Sequence, residues 1–211
     1  MKSLYNPPKI LKNIFSEFLW VSAVDKVLLT FDDGPIPEVT ESILRELQRH
    51  KVKAMFFCVG DNVKKYSSIA KEIIDEGHTI GNHTFHHKKI NMLSSTERFA
   101  EIDRCSRTIQ ENLSYEVKYF RPPHGRFNLK LAQELSKVNM QNVMWSLLTY
   151  DYKSNFEIVK KSVQKYLEKD SIVVLHDNKK SKSIIKDSIN VILEETHRKN
   201  FAIGTPVECL K

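Results

Sequence analysis

Aspartates and histidines follow two short apolar segments of this 211-residue chain. Asp32 and Asp33 follow the first segment, and His83, His86 and His87 follow the second. Spacings of three and of four can both place two imidazoles on one side of a helical turn, as in zinc peptidases. One carboxylate and two imidazoles would leave coordination positions open for water and substrate. Zinc suits such a site, and so would other divalent transition metals.

The two adjacent aspartates cannot both be explained by a turn. Asp33-Gly34-Pro35 is a turn signal by itself, but it does not account for Asp32. Beside a bound metal, one carboxylate could be a ligand while the other accepts a proton from water.

Ionisable residues also end or follow other apolar segments. His176 ends one of them and could act as a general acid if a carboxylate raised its pKa. Asp151 and Asp177 are both candidates for that carboxylate. Arg121 could pair with a carboxylate and hold it ionised. Taken alone, His176 could be a structural histidine and Arg121 could form an ordinary salt bridge. Ionisable residues at the ends of five apolar segments together indicate a catalytic centre.

The elements that must position these residues alternate along the chain. Seven strand candidates are separated by helical segments over residues 25–211, which is about 27 residues per unit, close to one βα repeat. This alternation predicts parallel strands and an α/β fold, and we expect a distorted (β/α)7-type barrel. The chemistry of such a barrel lies at the carboxyl ends of its strands. The strand candidates are 27–31, 54–59, 79–82, 119–121, 142–146, 172–175 and 201–203.

Residues 1–24 precede this alternation and form a separate N-terminal extension. Apolar residues recur at helical spacing from Ile10 to Leu19, which predicts an amphipathic helix that is retained and packs on the barrel. A weak signal peptide ending at Val21-Ser22-Ala23 is the alternative. The remaining residues, 25–211, are expected to form one catalytic domain. We expect a cytoplasmic location, with export as the alternative.

Composition and charge restrict the other classes of function. The chain is 41% hydrophobic and 28% charged, as expected for a globular protein, and an odd count of 3 cysteines argues against a disulfide scaffold. The net charge of +7 could indicate nucleic acid or an anionic surface. No nucleic-acid-binding module supports that interpretation, and the lysine-rich stretch 178–182 is interpreted as a solvated loop. No apolar run is long enough to suggest a transmembrane segment.

Three stretches carry a resemblance to a known family. Residues 30–35 (Thr-Phe-Asp-Asp-Gly-Pro), 83–87 (His-Thr-Phe-His-His) and 121–125 (Arg-Pro-Pro-His-Gly) resemble the first three motifs of the polysaccharide deacetylases. This family is also called the NodB-homology domain or carbohydrate esterase family 4. The resemblance covers about residues 25–205. It implies a distorted barrel of about seven strands, a bound divalent metal and hydrolysis of acetyl groups on sugars.

The resemblance also implies which residues bind the metal. The ligands would be Asp33, His83 and His87, which leaves His86 as a non-ligand. One ion is expected, zinc ahead of cobalt, manganese, nickel or iron.

Roles in the reaction follow from the same resemblance. Asp32 would be the catalytic base, oriented by Arg121. His176 would be the general acid, tuned by Asp151. The backbone N–H of His124 would help to stabilise the oxyanion.

Three positions differ from the family pattern around the substrate. Tyr152 stands where the fourth motif usually has Trp, and His124 stands where Tyr is common. Val174 replaces a Leu that helps to shape the pocket for the acetyl methyl group. The implied metal site and acid–base pair are therefore intact, while the groove and acyl pocket differ.

The resemblance predicts a hydrolase that removes acetyl groups from an amino-sugar-containing glycan, N-acetyl in preference to O-acetyl. The expected partner is that acetylated glycan, without nucleic acid. Two alternatives remain open. One is a weak or inactive homologue that binds metal and glycan, and the other is an amidohydrolase acting on a small non-sugar amide.

Overall fold

The computed structural model of the protein describes residues 5–211. Within them, parallel strands form one curled sheet in the order β5-β4-β3-β2-β1-β7-β6, and β8 pairs with the start of β1. The sheet is a half-barrel with helices packed around it. The strands are β1 (Lys26–Asp32), β2 (Met55–Cys58), β3 (Thr79–Asn82), β4 (Tyr119–Phe120), β5 (Gln141–Asn142), β6 (Leu147–Leu148), β7 (Ile172–His176) and β8 (Ala202–Ile203).

Strand β1 is the centre of the fold. All of its residues after Lys26 are buried, which is typical of a parallel strand that is covered on both faces. Its register places Asp32 beside His176 of β7 and beside Phe57 of β2. The backbone pairing alone therefore brings the first and last of the predicted site segments together.

The fifth predicted strand differs from the prediction. Residues 142–146 were expected to form one strand, but two short strands, β5 and β6, flank this stretch. Strands β5 and β6 are the two ends of the sheet and do not pair with each other. Instead Leu19 forms a parallel bridge with Val143. The segment around Leu19 uses its backbone N–H and C=O groups to pair with this stretch, and sequence periodicity does not reveal such long-range pairing.

The helices of the described residues cover the outside of the half-barrel. Three of the helices begin at side-chain caps: Ser94 accepts a hydrogen bond from the Glu97 N–H, Asn155 accepts one from the Ile158 N–H, and Thr205 accepts one from the Glu208 N–H. The helices are α1 (Lys9–Ile14), α2 (Val39–Arg49), α3 (Gly60–Lys65), α4 (Ser67–Asp75), α5 (Ser95–Leu113), α6 (Leu131–Ser136), α7 (Phe156–Tyr166), α8 (Ile185–Arg198) and α9 (Pro206–Cys209).

The N-terminal helix is shorter than its apolar spacing predicts. Helix α1 ends at Ile14, and Ile10 and Ile14 are 71% and 62% exposed, so the predicted helix to Leu19 with a buried stripe is wrong. Phe15 and Phe18 are buried nonetheless, and both rings make edge contacts with Phe127. The segment packs on the domain through aromatic side chains that follow the helix. Burying these rings outweighs continuing a short helix, whose own stability is marginal.

Among the described residues, no helix has the length and apolarity needed to cross a membrane.

Candidate active site

A cavity of about 330 Å³ opens at the carboxyl ends of the strands. Eight of the ten predicted site residues line it, while Arg121 and Asp151 are fully buried beside it. The lining residues are Asp32, Asp33, His83, His87, His124, Gly125, Trp145, Leu148, Tyr152, Val174, His176, Asn178 and Lys180.

The turn after β1 is fixed by a buried carboxylate. Asp177 Oδ1 accepts a hydrogen bond from the Gly34 N–H at 2.7 Å, and Oδ2 accepts one from the Thr40 hydroxyl at 2.9 Å. A Cβ at position 34 would lie 1.7 Å from this carboxylate, so the turn requires glycine. Burial raises the pKa of Asp177 well above its usual value. Asp177 therefore holds the turn, and the alternative that it partners His176 is wrong.

Asp33, His83 and His87 form a cluster with the dimensions of a metal site. One potential ligand atom from each residue lies within 4.8 Å of the other two. His87 Nε2 is 3.0 Å from Asp33 Oδ1, and His83 Nε2 is 3.7 Å from the same oxygen. His83 Nδ1 donates to the carbonyl of Arg121 at 2.8 Å, which leaves Nε2 as the nitrogen able to bind a metal. The residues present therefore fit one divalent cation.

The electrostatics of the cluster suit metal ligands. Burial lowers the pKa of His83 to about 4, so its imidazole is neutral at neutral pH. Burial alone would raise the pKa of Asp33, but a hydrogen bond from His87 and the nearby His176 and His83 hold it far below its usual value. A neutral imidazole and an ionised carboxylate are the forms that bind a metal.

Asn178 and Asn62 hold Asp33 from outside this cluster. The Asn178 side-chain amide donates to Asp33 Oδ2 at 2.7 Å, while Asp33 Oδ1 faces the histidines. The Asn62 amide donates to the backbone carbonyl of Asp33 at 2.8 Å. Asp33 has φ 89°, a backbone conformation that is costly for a residue with a side chain. The surrounding hydrogen bonds keep the carboxylate aimed at the cavity.

Asp32 is bound to a fully buried arginine. Arg121 Nη1 lies 2.7 Å from Asp32 Oδ1 and also donates to the Thr30 hydroxyl. The remaining guanidinium nitrogens donate to the carbonyls of Val143 and Met144, at 2.9 and 2.7 Å. Arg121 is therefore fixed by several groups at once and orients one oxygen of Asp32.

His176 and Asp151 form the other buried pair. Asp151 accepts two hydrogen bonds from His176, one from Nδ1 and one from the backbone N–H, each at 2.7 Å. Burial disfavours the charged imidazolium, but the charge and hydrogen bond of Asp151 raise the pKa of His176 to about 9. His176 is therefore protonated at neutral pH, and its Nε2 is the ring nitrogen left for the cavity.

The residues predicted to contact substrate form the remaining walls. The Tyr152 ring stands edge-on to His176 at 4.9 Å, and the His124 ring contacts His87 at 4.6 Å. Val174 lies on the cavity wall. His86 does not belong to the metal cluster, whose potential ligand atoms come from Asp33, His83 and His87. Its Nδ1 pairs with Glu101 at 2.8 Å. This agrees with its interpretation as a non-ligand.

Five lining residues were not among the predicted site residues: Gly125, Trp145, Leu148, Asn178 and Lys180. Asn178 directly follows His176-Asp177, so reading one residue further past the strand would have found it. Lys180 also belongs to the stretch interpreted as a solvated loop, yet it lines the cavity. Trp145 carries no signal in the sequence, because it precedes β6 and reaches the cavity only through the irregular path between β5 and β6. Its ring closely covers Gly125, whose φ is 62°.

Comparison with known proteins agrees with this architecture. The sequence model of the polysaccharide deacetylase family matches residues 22–143. A peptidoglycan-N-acetylglucosamine deacetylase of Bacillus cereus is 38% identical over 128 residues, which are 61% of this chain and 46% of that relative. The chain belongs to the polysaccharide deacetylase family, and it spans less than half the length of this relative.

Solved structures of the same family share the fold. A peptidoglycan N-acetylglucosamine deacetylase superposes with a TM-score of 0.88 at 27% identity, covering 96% of each chain. A pseudoenzyme of carbohydrate esterase family 4 from Bacillus anthracis superposes with a TM-score of 0.80 at 26% identity, covering 91% of this chain and 68% of the other. The α/β fold expected from the sequence, a distorted (β/α)7-type barrel, is confirmed, and its sheet is a curled half-barrel.

Proposed function

We propose that the protein is a metal-dependent hydrolase that removes N-acetyl groups, in preference to O-acetyl groups, from an amino-sugar-containing glycan. One observation carries the proposal: an Asp-His-His cluster, a carboxylate and a protonated histidine share one cavity. An acetamide is a stable bond whose amine leaves poorly without a proton. Its hydrolysis needs an activated carbonyl, a base and an acid in one place.

Asp33, His83 and His87 would hold the metal. A bound divalent ion would polarise the acetamide carbonyl and make water a better nucleophile. Two imidazoles and one carboxylate favour zinc, and cobalt, manganese, nickel or iron could occupy the same ligands.

Asp32 would accept a proton from the attacking water. Arg121 occupies one of its oxygens at 2.7 Å, so the other oxygen can take the proton. Because Arg121 is fixed by backbone carbonyls, it restrains the carboxylate without needing to move during the reaction.

His176 would then protonate the departing amine. Its pKa of about 9 means that it carries the required proton at neutral pH, and Asp151 holds the ring with Nδ1 turned away from the cavity. The His124 N–H would stabilise the developing oxyanion. Tyr152 and Val174 would enclose the acetyl group, and Val174 leaves more room than the Leu common in the family.

A second candidate is an inactive member of the family that binds metal and glycan. The similarity to the Bacillus anthracis pseudoenzyme motivates it. The presence here of Asp32, His176 and all three candidate ligands argues for turnover instead.

An acetate-release screen distinguishes these functions. Chito-oligosaccharides, peptidoglycan fragments, acetylated xylan and small aliphatic acetamides would be incubated with the protein and with Asp32→Asn as the inactive control. We expect acetate from the amino-sugar substrates and little from Asp32→Asn. Acetate from xylan alone would indicate an O-acetyl esterase, and from small acetamides alone a non-sugar amidase. No acetate from any substrate would support the inactive candidate.

A further inference from the structure

One buried carboxylate of α5 contacts the residues on both sides of His87. Glu101 Oε2 accepts a hydrogen bond from the His86 N–H at 2.9 Å, and Oε1 pairs with His86 Nδ1 at 2.8 Å. The Lys88 ammonium lies 3.0 Å from the same Oε1. The Glu101 side chain is only 8% exposed. Burial alone would raise its pKa, but hydrogen bonds from His86 and Lys88 lower it, so the carboxylate is ionised at neutral pH.

The same helix also holds the segment before His87. The Phe85 N–H donates to the Glu101 backbone carbonyl at 3.1 Å, and the Arg104 guanidinium lies 3.8 Å from the centre of the Phe85 ring. From α3, the Asp61 N–H donates to the Phe85 carbonyl at 3.0 Å. The Phe85 side chain is buried. The backbone that leads into His87 is therefore fixed between α3 and α5.

His87 depends on this support, because its own backbone conformation is costly. Its φ is 56°, in the left-handed region that a residue with a side chain rarely adopts. Its Nε2 faces Asp33 Oδ1 at 3.0 Å. The other histidine of the cluster, His83, has its Nδ1 bonded to the Arg121 carbonyl. Among residues 5–211, no hydrogen bond holds Nδ1 of His87 in that way. The direction of the His87 ring therefore depends on the backbone that carries it.

We propose that Glu101 is a positioning residue for the metal: it holds the residues on either side of His87 and so prearranges this imidazole beside Asp33. The proposal rests on the proposed function, because it concerns the metal that this function requires. Glu101 is not among the residues whose potential ligand atoms form the cluster. Without its contacts, the segment around His87 would have to be ordered when the metal binds, and that ordering would weaken the binding of the metal.

The zinc dissociation constant, measured by competition with a chelating dye, tests this role. In Glu101→Gln the single side-chain oxygen can still accept one hydrogen bond, while the NH₂ group faces the other donor and the charge opposite Lys88 is lost. We expect the dissociation constant to rise about 10-fold in Glu101→Gln and about 100-fold in Glu101→Ala, the range typical of residues that orient metal ligands. The matched control Glu111→Gln changes an exposed glutamate of the same helix and should bind zinc as the unmodified protein does.

Two further measurements distinguish positioning from other roles of Glu101. Urea unfolding of the metal-free proteins gives their stability, and a purely structural role would lower this stability while leaving the zinc dissociation constant of the folded protein unchanged. The kcat for acetate release at saturating zinc should return to that of the unmodified protein in Glu101→Gln, because the loss lies in metal binding and not in the reaction.

An unchanged zinc dissociation constant in Glu101→Gln, or an equal rise in Glu111→Gln, would overturn the proposal and leave the deacetylase assignment in place. A kcat of Glu101→Gln that stays low at saturating zinc would also overturn it, because Glu101 would then act in the reaction itself. No zinc binding by the unmodified protein would instead overturn the metal-dependent function on which the proposal rests.

Discussion

Replacing Asp151 by Asn tests the proton-donor role of His176. The substitution keeps the size of the side chain but removes its charge. The carboxylate accepts two hydrogen bonds from His176, from Nδ1 and from the backbone N–H. An amide has one oxygen, so one of these donors must then face an NH₂ group. Burial disfavours the imidazolium form of His176, and the variant lacks the Asp151 charge that mainly opposes this effect.

The structure sets the size of the effect. Asp151 is the principal reason that the pKa of His176 is about 9 instead of the ordinary 6.5. That difference corresponds to about 3.4 kcal/mol in favour of the protonated ring. With the pKa back near 6.5, the protonated fraction at pH 8 falls from about 90% to about 3%, roughly 30-fold. At pH 5.5 the ring is protonated in both proteins, so the two rates should differ much less.

The assay is the pH dependence of kcat for acetate release between about pH 5 and 10. We expect the basic limb to move down by about 2.5 pH units in Asp151→Asn, with the ratio of wild-type to variant rates growing about 30-fold from pH 5.5 to pH 8. Asp187→Asn, on the exposed surface of α8, is the charge-matched control and should keep the wild-type profile. A ratio that stays constant across this range would refute the assignment of His176 as the acid.

Three further predictions follow from other contacts. Asp32→Asn should keep the metal and lose about 10²–10⁴ in turnover, because the base is gone, whereas His83→Ala should lose the metal itself; metal analysis beside acetate release distinguishes them. Asn178→Ala should weaken metal binding about 10–100-fold, because Asp33 loses a 2.7 Å hydrogen bond, and an unchanged dissociation constant by competition with a chelating dye would count against this. Burial lowers the pKa of His78 to about 4 from 6.5, so the unfolded chain takes up the proton first as pH falls. His78 should therefore remove about 2.5 kcal/mol of unfolding free energy between pH 7 and pH 4.5, and urea titrations should show this loss to be absent in His78→Asn.

Much of the site could be predicted because it follows the strand ends. Asp32, His83 and His176 each lie at or directly after an apolar strand, and parallel pairing brings those ends to one edge whatever the loops do. The same rule could not decide between Asp151 and Asp177 as the partner of His176. That choice depends on side-chain direction. The Asp177 carboxylate accepts a hydrogen bond from the Gly34 N–H in the turn after β1, while Asp151 pairs with His176.

Other features depend on irregular backbone, which the periodicity of apolar residues in the sequence does not predict. The break between β5 and β6 arises because Leu19 pairs with Val143, a contact that joins distant parts of the chain. Helix α1 ends early because Phe15 and Phe18 are buried better outside a helix that continues to Leu19. Lys180 was interpreted as part of a solvated loop, since composition does not show that Asn178 folds that loop against Asp33.

The central claim, that this cavity deacetylates a glycan with the help of one metal ion, is tested most directly by titrating metal back into chelator-stripped protein while acetate release is measured. We expect the stripped protein to be inactive on N-acetylglucosamine oligomers. Activity should return in proportion to added zinc and stop rising at one equivalent per chain. Full activity in the stripped protein, or binding of one equivalent without any acetate release, would contradict the account.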